Sequence, residues 1–146
     1  MPNTVYISHV IDAPIEKVWG VMRDFNGMPA YHPGILESII ESDYPSDQVG
    51  CVRRLTLGEG FVRERLLCLD DRNYVFTYEI IEGTLPVRDY VAGVRLHRVT
   101  DRERTFGEWW ADFEVVGVDR DAMINQIGNK VFAAGFTAVA AKLAEP

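Results

Sequence analysis

The chain has 146 residues, is 47% hydrophobic and 25% charged, and carries a formal net charge of −7. That length suits one domain, residues 1–146, able to bury roughly two-thirds of its unfolded surface. The acidic balance and the lack of a basic cluster make nucleic acid and anionic membrane poor partners, since both need Lys/Arg surfaces.

In chain order, Thr4 to Ile11 alternates as a strand. Asp12-Ala13-Pro14 then opens a helix, with Asp12 as the expected N-cap and Pro14 in the first turn. Ile15, Val18, Trp19 and Met22 recur at i, i+3, i+4 and i+7, one buried stripe. Asp24 to Pro33 is aromatic, contains Pro and Gly, and has no period. Six strands are predicted next: Ile35 to Glu41, Cys51 to Leu57, Phe61 to Leu69, Tyr74 to Ile81, Arg88 to Val99 and Thr105 to Val116. The short polar or Gly-bearing breaks between them join antiparallel neighbours.

Asp119 to Leu143 reads as one amphipathic helix. At 100° per residue, Ile127, Val131, Ala134 and Ala138 form one edge of its apolar face. Phe132, Phe136, Val139 and Leu143 form the other, with Gly128 and Gly135 on the midline. Gly costs about 1 kcal/mol against Ala inside a helix, so two on a buried midline imply either close approach of the sheet or space kept for a ligand. The predicted architecture is α+β: a seven-stranded curved antiparallel sheet wrapped around a long C-terminal helix, with a short helical segment after strand 1. One helix cannot fill such a sheet, so a cavity between them is expected.

No apolar run approaches the 18–20 residues of a membrane-spanning helix. The N-terminal residues lack the charged-then-apolar pattern of a secretory signal. The expectation is a cytoplasmic protein with no membrane span, in which Cys51 and Cys68 are reduced, buried thiols.

The segment Ile11-Asp12-Ala13-Pro14-Ile15-Glu16-Lys17-Val18-Trp19, followed by Asp24-Phe25, resembles the START/Bet v 1-like (SRPBCC) superfamily. It is most similar to bacterial members described as polyketide cyclase/dehydrase-like. The resemblance implies the helix-grip fold and an apolar pocket between the sheet and the last helix. That pocket would open beneath the loops Leu57 to Phe61 and Gly83 to Val87. A more distant likeness to plant abscisic-acid receptors runs through Val49-Gly50-Cys51-Val52-Arg53, Leu69-Asp70-Asp71 and Tyr78-Glu79-Ile80-Ile81-Glu82-Gly83. Leu57-Gly58-Glu59-Gly60 replaces the receptors' Ser-Gly-Leu-Pro gate, and Thr84-Leu85-Pro86 replaces their latch. Hormone reception is therefore not carried over, and His32 aligns with the lysine that holds a carboxylate in those receptors, so recognition of an acidic ligand is not carried over with it.

Candidate site residues follow from strand alternation. With Tyr90, Ala92, Val94 and Leu96 facing inward, pairing across a turn at Asp101 to Glu103 sets Glu108 beside Leu96 and Trp110 beside Val94, and turns Trp109 outward. The predicted ligand-binding set is Phe76, Tyr78, Tyr90, Val94, Trp110, Gly128, Val131, Phe132 and Gly135. Glu108, an acid among apolar groups, is the candidate general acid/base or anchor. His32, near the expected rim, is the second catalytic candidate. Glu64 faces inward if it alternates with Leu66 and Cys68, with Arg54 as partner, and outward if it alternates with Leu67 and Leu69.

No metal site is expected, because the three histidines show no ligand spacing. No cofactor is expected either: no Gly-rich phosphate loop runs from a strand into a helix.

Three functions fit. One is a binder of a small hydrophobic or aromatic molecule, lipid- or polyketide-like. Another is a cofactor-independent cyclase/dehydrase-type enzyme using Glu108. The third is a protein-interaction module whose cavity is filled by side chains. A homodimer is compatible with all three.

Overall fold

A computed structural model describes residues 3–145. Strand β1 (Val5–Ile11) leads into helix α1 (Ile15–Met22) and a 3-10 turn at Met28–Ala30. Six strands follow: β2 (Glu37–Ile40), β3 (Val52–Leu57), β4 (Gly60–Asp70), β5 (Val75–Gly83), β6 (Val87–Val99) and β7 (Arg104–Val115). All seven form one sheet in the order β1-β7-β6-β5-β4-β3-β2. Every neighbouring pair is antiparallel. The helix-grip α+β architecture is therefore present, and the sheet wraps a C-terminal helix. Among the described residues no helix is long and apolar enough to cross a membrane.

The α1 stripe of Ile15, Val18, Trp19 and Met22 is buried as its spacing requires. Pro14, not Asp12, occupies the N-cap, with φ −62° and ψ 148° and no side-chain hydrogen bond. The extended geometry that proline favours starts this helix without a capping oxygen. Trp19 Nε1 donates to Asp71 Oδ1 at 2.8 Å, tying α1 to the β4–β5 turn.

The C-terminal helix departs from a uniform α-helix. It runs as α2 (Arg120–Asn125), a π-helical segment (Gln126–Ala133) and α3 (Ala134–Ala144). Asp119 caps it by accepting from the Ala122 N–H at 2.9 Å. The π segment widens the turn where the helix faces the cavity, so a projection at 100° per residue does not hold there.

β4 resolves both alternations available to Glu64. Leu66 pairs with Tyr78 and Cys68 with Thr77, leaving Leu67 as an extra residue. Val62, Glu64 and Leu66 are buried before that bulge, and the phase inverts after it. Cys68 is consequently exposed, a correction to its expected burial, while Cys51 is buried; both are free thiols.

Gly135 and Gly128 answer the question their midline positions raised. A Cβ at Gly135 would lie 2.7 Å from the Trp109 ring and 3.2 Å from His32. At Gly128 it would meet Val5 at an ordinary 3.4 Å. Gly135 therefore serves close packing, and neither glycine lines the cavity. Gly135→Ala is expected to lose up to about 2 kcal/mol, overpacking of about 1–3 kcal/mol exceeding a helix-propensity gain of about 1. Gly128→Ala should gain up to about 1 kcal/mol. Urea unfolding midpoints of the two variants check both signs.

Candidate ligand cavity

A cavity of about 210 Å³ lies between the C-terminal helix and the β3–β6 part of the sheet. Leu55 and Leu57 of β3, Val62 of β4, Ile80 of β5 and Tyr90 of β6 form its sheet side. Ile127 and Val131 close it from the helix, and Met28 and Ile35 from the connection after α1. Gln126 and Lys130 add polar groups from the helix.

A charged pair sits in this apolar wall. Arg53 and Glu64 are directly opposite on β3 and β4, and both side chains are almost fully buried. Arg53 Nε donates to Glu64 Oε1 at 2.9 Å, and its Nη2 lies 2.7 Å from the same oxygen in an ion pair. Its Nη1 donates to the Phe25 carbonyl at 2.7 Å. The guanidinium also lies 3.9 Å from the Phe25 ring centre and 5.1 Å from that of Tyr78. Burial pushes the Glu64 carboxyl up, opposed by the Arg53 charge and hydrogen bonds. Tyr78 and Tyr90 are likewise pushed up by burial, with the nearby Glu64 charge adding to it. The Tyr78 hydroxyl accepts from Trp109 Nε1 at 3.0 Å, so the polar chain runs from the cavity into the core.

His32 lines the cavity and is buried. Its Nδ1 accepts from the Gly34 N–H at 3.0 Å. Its Nε2 lies 2.8 Å from the Val131 carbonyl in the π segment. A carbonyl only accepts, so the ring is the neutral Nε2–H tautomer. Burial lowers its pKa, against the opposing effect of the Val131 carbonyl. The ring thus joins the irregular segment to the helix, a positional role that its loop location did not suggest.

Glu108 requires a correction. β6 and β7 are joined by four residues, Thr100 to Glu103, with Val99 opposite Arg104. Arg102 and Glu103 take φ of 65° and 50° in that turn. A three-residue turn would shift the register by one, and a one-residue slip reverses every side chain. Glu108 therefore pairs with Arg95 on the outer face, Trp109 faces inward opposite Val94, and Trp110 stands outside over Gly93. Glu108 accepts from the Tyr6 hydroxyl at 2.5 Å and lies 2.6 Å from His97 Nε2. Partial burial pushes its carboxyl up, but these two partners outweigh that and leave it below the usual carboxylate range.

Of the predicted ligand-binding residues, Tyr78, Tyr90 and Val131 line the cavity. Phe76, Val94 and Phe132 are buried in the core beside it. Arg53 was not singled out: Arg54 was the expected partner of Glu64, but it is exposed and stacks on Phe61 at 3.9 Å. The signal was available in the β3–β4 turn, whose Leu57↔Gly60 closure sets Arg53 opposite Glu64.

Residues 3–144 match the family described as polyketide cyclase/dehydrase and lipid transport, and the chain belongs to that family. Among individual relatives, it is 30% identical to the abscisic acid receptor PYL1 of Arabidopsis thaliana over 84% of this chain and 57% of the receptor. To the receptor PYL10 of the same plant it is 29% identical over 67% of this chain and 54% of the receptor. The chain thus spans little more than half the length of these relatives. The fold is shared with XoxI of Bacillus cereus, at TM-score 0.83 and 24% identity, covering 94% of this chain and 93% of that one. It is shared also with the ZhuI aromatase/cyclase of a Streptomyces species, at TM-score 0.78 and 22% identity, covering 94% and 91%.

Glu64→Gln would leave the buried guanidinium uncompensated, and the expected loss is about 3–5 kcal/mol, read as a lowered thermal midpoint. His32 supplies a pH dependence. Free histidine titrates near 6.5, and the folded ring titrates lower, so below about 6.5 the unfolded chain binds the proton more readily. The stabilisation is complete above about pH 6.5 and is lost as pH falls toward the folded value. Urea midpoints from pH 7.5 to 5.5 should fall more steeply in the wild type than in His32→Gln.

Proposed function

We propose that the protein binds a small, largely apolar molecule in the cavity between sheet and helix, with the Arg53–Glu64 pair meeting a hydrogen-bonding group on it. The observation that carries this reading is a cavity of about 210 Å³ whose wall is apolar except for a few polar groups, chief among them that buried pair. An apolar cavity of about 150 Å³ takes up benzene, so a substituted single ring fits. Glu64 Oε1 receives both short contacts from Arg53, and its other oxygen has no protein donor among the described residues. A ligand hydroxyl would supply one. The family's description, which includes lipid transport, supports the same class of ligand.

The interaction-module reading required a cavity filled by side chains, and this one is open. The enzyme reading loses Glu108, which stands on the outer face. Acid/base chemistry in this cavity would rest on Glu64, whose carboxyl burial pushes up, with Tyr78 and His32 within the same wall.

Titration of the ¹⁵N-labelled protein with cyclohexanol, a ring carrying one hydroxyl, is expected to shift amides around the cavity saturably. Leu55→Phe, which adds volume at the cavity wall, should weaken that binding at least tenfold. Shifts that are absent, or unchanged in the variant, would overturn the reading.

A further inference from the structure

The ladder between β5 and β6 is short. It runs from Val75↔Arg95 to Glu79↔Val91 and stops, although β5 continues to Gly83 and β6 begins at Val87. Beyond Glu79, β5 stays with β4 through Glu64↔Ile80 and Val62↔Gly83. Val87 and Arg88 of β6 stay with β7. Each strand carries an extra residue beside the gap. In β5 it is Ile81, skipped where Arg63 pairs with Glu82 and Glu64 with Ile80. In β6, Asp89 and Tyr90 together face the one β7 residue Phe113. Asp89 has a φ of 53°, in a region that Asp tolerates better than most residues. Bulges bend a strand and sharpen its twist, and here two of them part neighbouring strands into a slot.

On the outer face the slot opens into a cleft of about 790 Å³ whose polar lining includes Arg65, Glu79, Glu82, Arg88 and Asp89. On the inner face lies the ligand cavity. Ile80, Leu85 and Tyr90 line both spaces, so these three residues stand between them. Ligand sites commonly measure about 300–1,000 Å³; the inner cavity falls short of that range, and the outer cleft lies within it.

We infer that the cavity and the cleft are two halves of one site, and that its ligand is an elongated amphipathic molecule passing between β5 and β6. Its inner end, apolar except for the one group that meets the Arg53–Glu64 pair, occupies the inner cavity, and its polar head lies in the outer cleft. This rests on the reading that the cavity holds a ligand. The head is uncharged and hydroxyl-bearing, because carboxylates and guanidiniums mix in the cleft and partly neutralise one another. Arg65 lies 3.9 Å from Glu79, and Glu82 is held by Arg63 at 2.9 Å. Main-chain groups along Ile80–Gly83 and Val87–Tyr90 that face the slot have no ladder partner across it and supply donors and acceptors for hydroxyls.

The test is an NMR titration of the ¹⁵N-labelled protein with 1-alkanols from hexanol to decanol, beside cyclohexanol. At about 30 Å³ for each water-sized group, the inner cavity alone is full near seven carbons. The expected result is an affinity that keeps rising past that length, about fourfold for each added methylene. Amides of Ile81, Glu82 and Arg88 should shift only with the longer alcohols. Arg88→Trp, which fills the cleft, should weaken 1-decanol at least tenfold more than it weakens 1-hexanol. Affinity that levels off near seven carbons, or equal effects of Arg88→Trp on both alcohols, would overturn the inference while leaving the cavity reading intact. No binding of hexanol or cyclohexanol would overturn both.

Discussion

The seating of Trp109 against the C-terminal helix is the constraint on which the rest of the structure depends. Its ring stacks on Phe132 at 4.8 Å between centroids and meets Phe136 edge-on at 5.6 Å. Such aromatic pairs contribute about 0.5–1.5 kcal/mol beyond their buried area. Gly135 gives the ring its place, and Gly107 in the same strand admits Phe136, whose ring would lie 2.8 Å from a Cβ there. The helix is thereby drawn onto β1 and β7. A curved sheet cannot touch one helix along all seven strands, so close contact on this side leaves space over β3 to β6, where the cavity lies.

The same indole connects packing to electrostatics. Trp109 donates to the Tyr78 hydroxyl, and Tyr78 lies beside the Arg53 guanidinium that holds Glu64. A buried ion pair is a poor source of net stability, because desolvation offsets most of the attraction. Its value here is positional. Two strands, the irregular segment through the Phe25 carbonyl, and an aromatic wall all converge on Arg53. The cavity therefore has a rigid polar point in an apolar surround, the arrangement that orients a small ligand. His32 fastens the opposite wall, coupling the segment after α1 to a carbonyl of the π-helical turn.

Legibility in the sequence divides along a physical line. Strand and helix positions were readable because hydrophobic period and turn residues are local; the α1 stripe and all seven strands lie where those signals put them. Site membership was readable only where face assignment survived. Tyr78 alternates without a break with Phe76 in β5, Tyr90 alternates with Ala92, Val94 and Leu96 on the far side of its bulge in β6, and both line the cavity. Glu108 and Trp110 sit beyond a turn with one more residue than alternation allowed for, and both ended on the outer face. Leu67, Ile81 and Asp89 are the bulges that no period announces. The π-helical widening is of the same kind: it adds backbone without altering composition.

By itself, then, the sequence determined the α+β class, the order of elements, the wide apolar face of the last helix and the presence of an open space beneath it. All of these follow from side-chain chemistry at short range. Only the tertiary structure decided which acid faces that space. A strand's two faces exchange with a single residue of register, and register is set by turn length and bulges whose geometry depends on the neighbouring strand. The outward Glu108, the buried Arg53–Glu64 pair and the slot between β5 and β6 are all products of that one sensitivity.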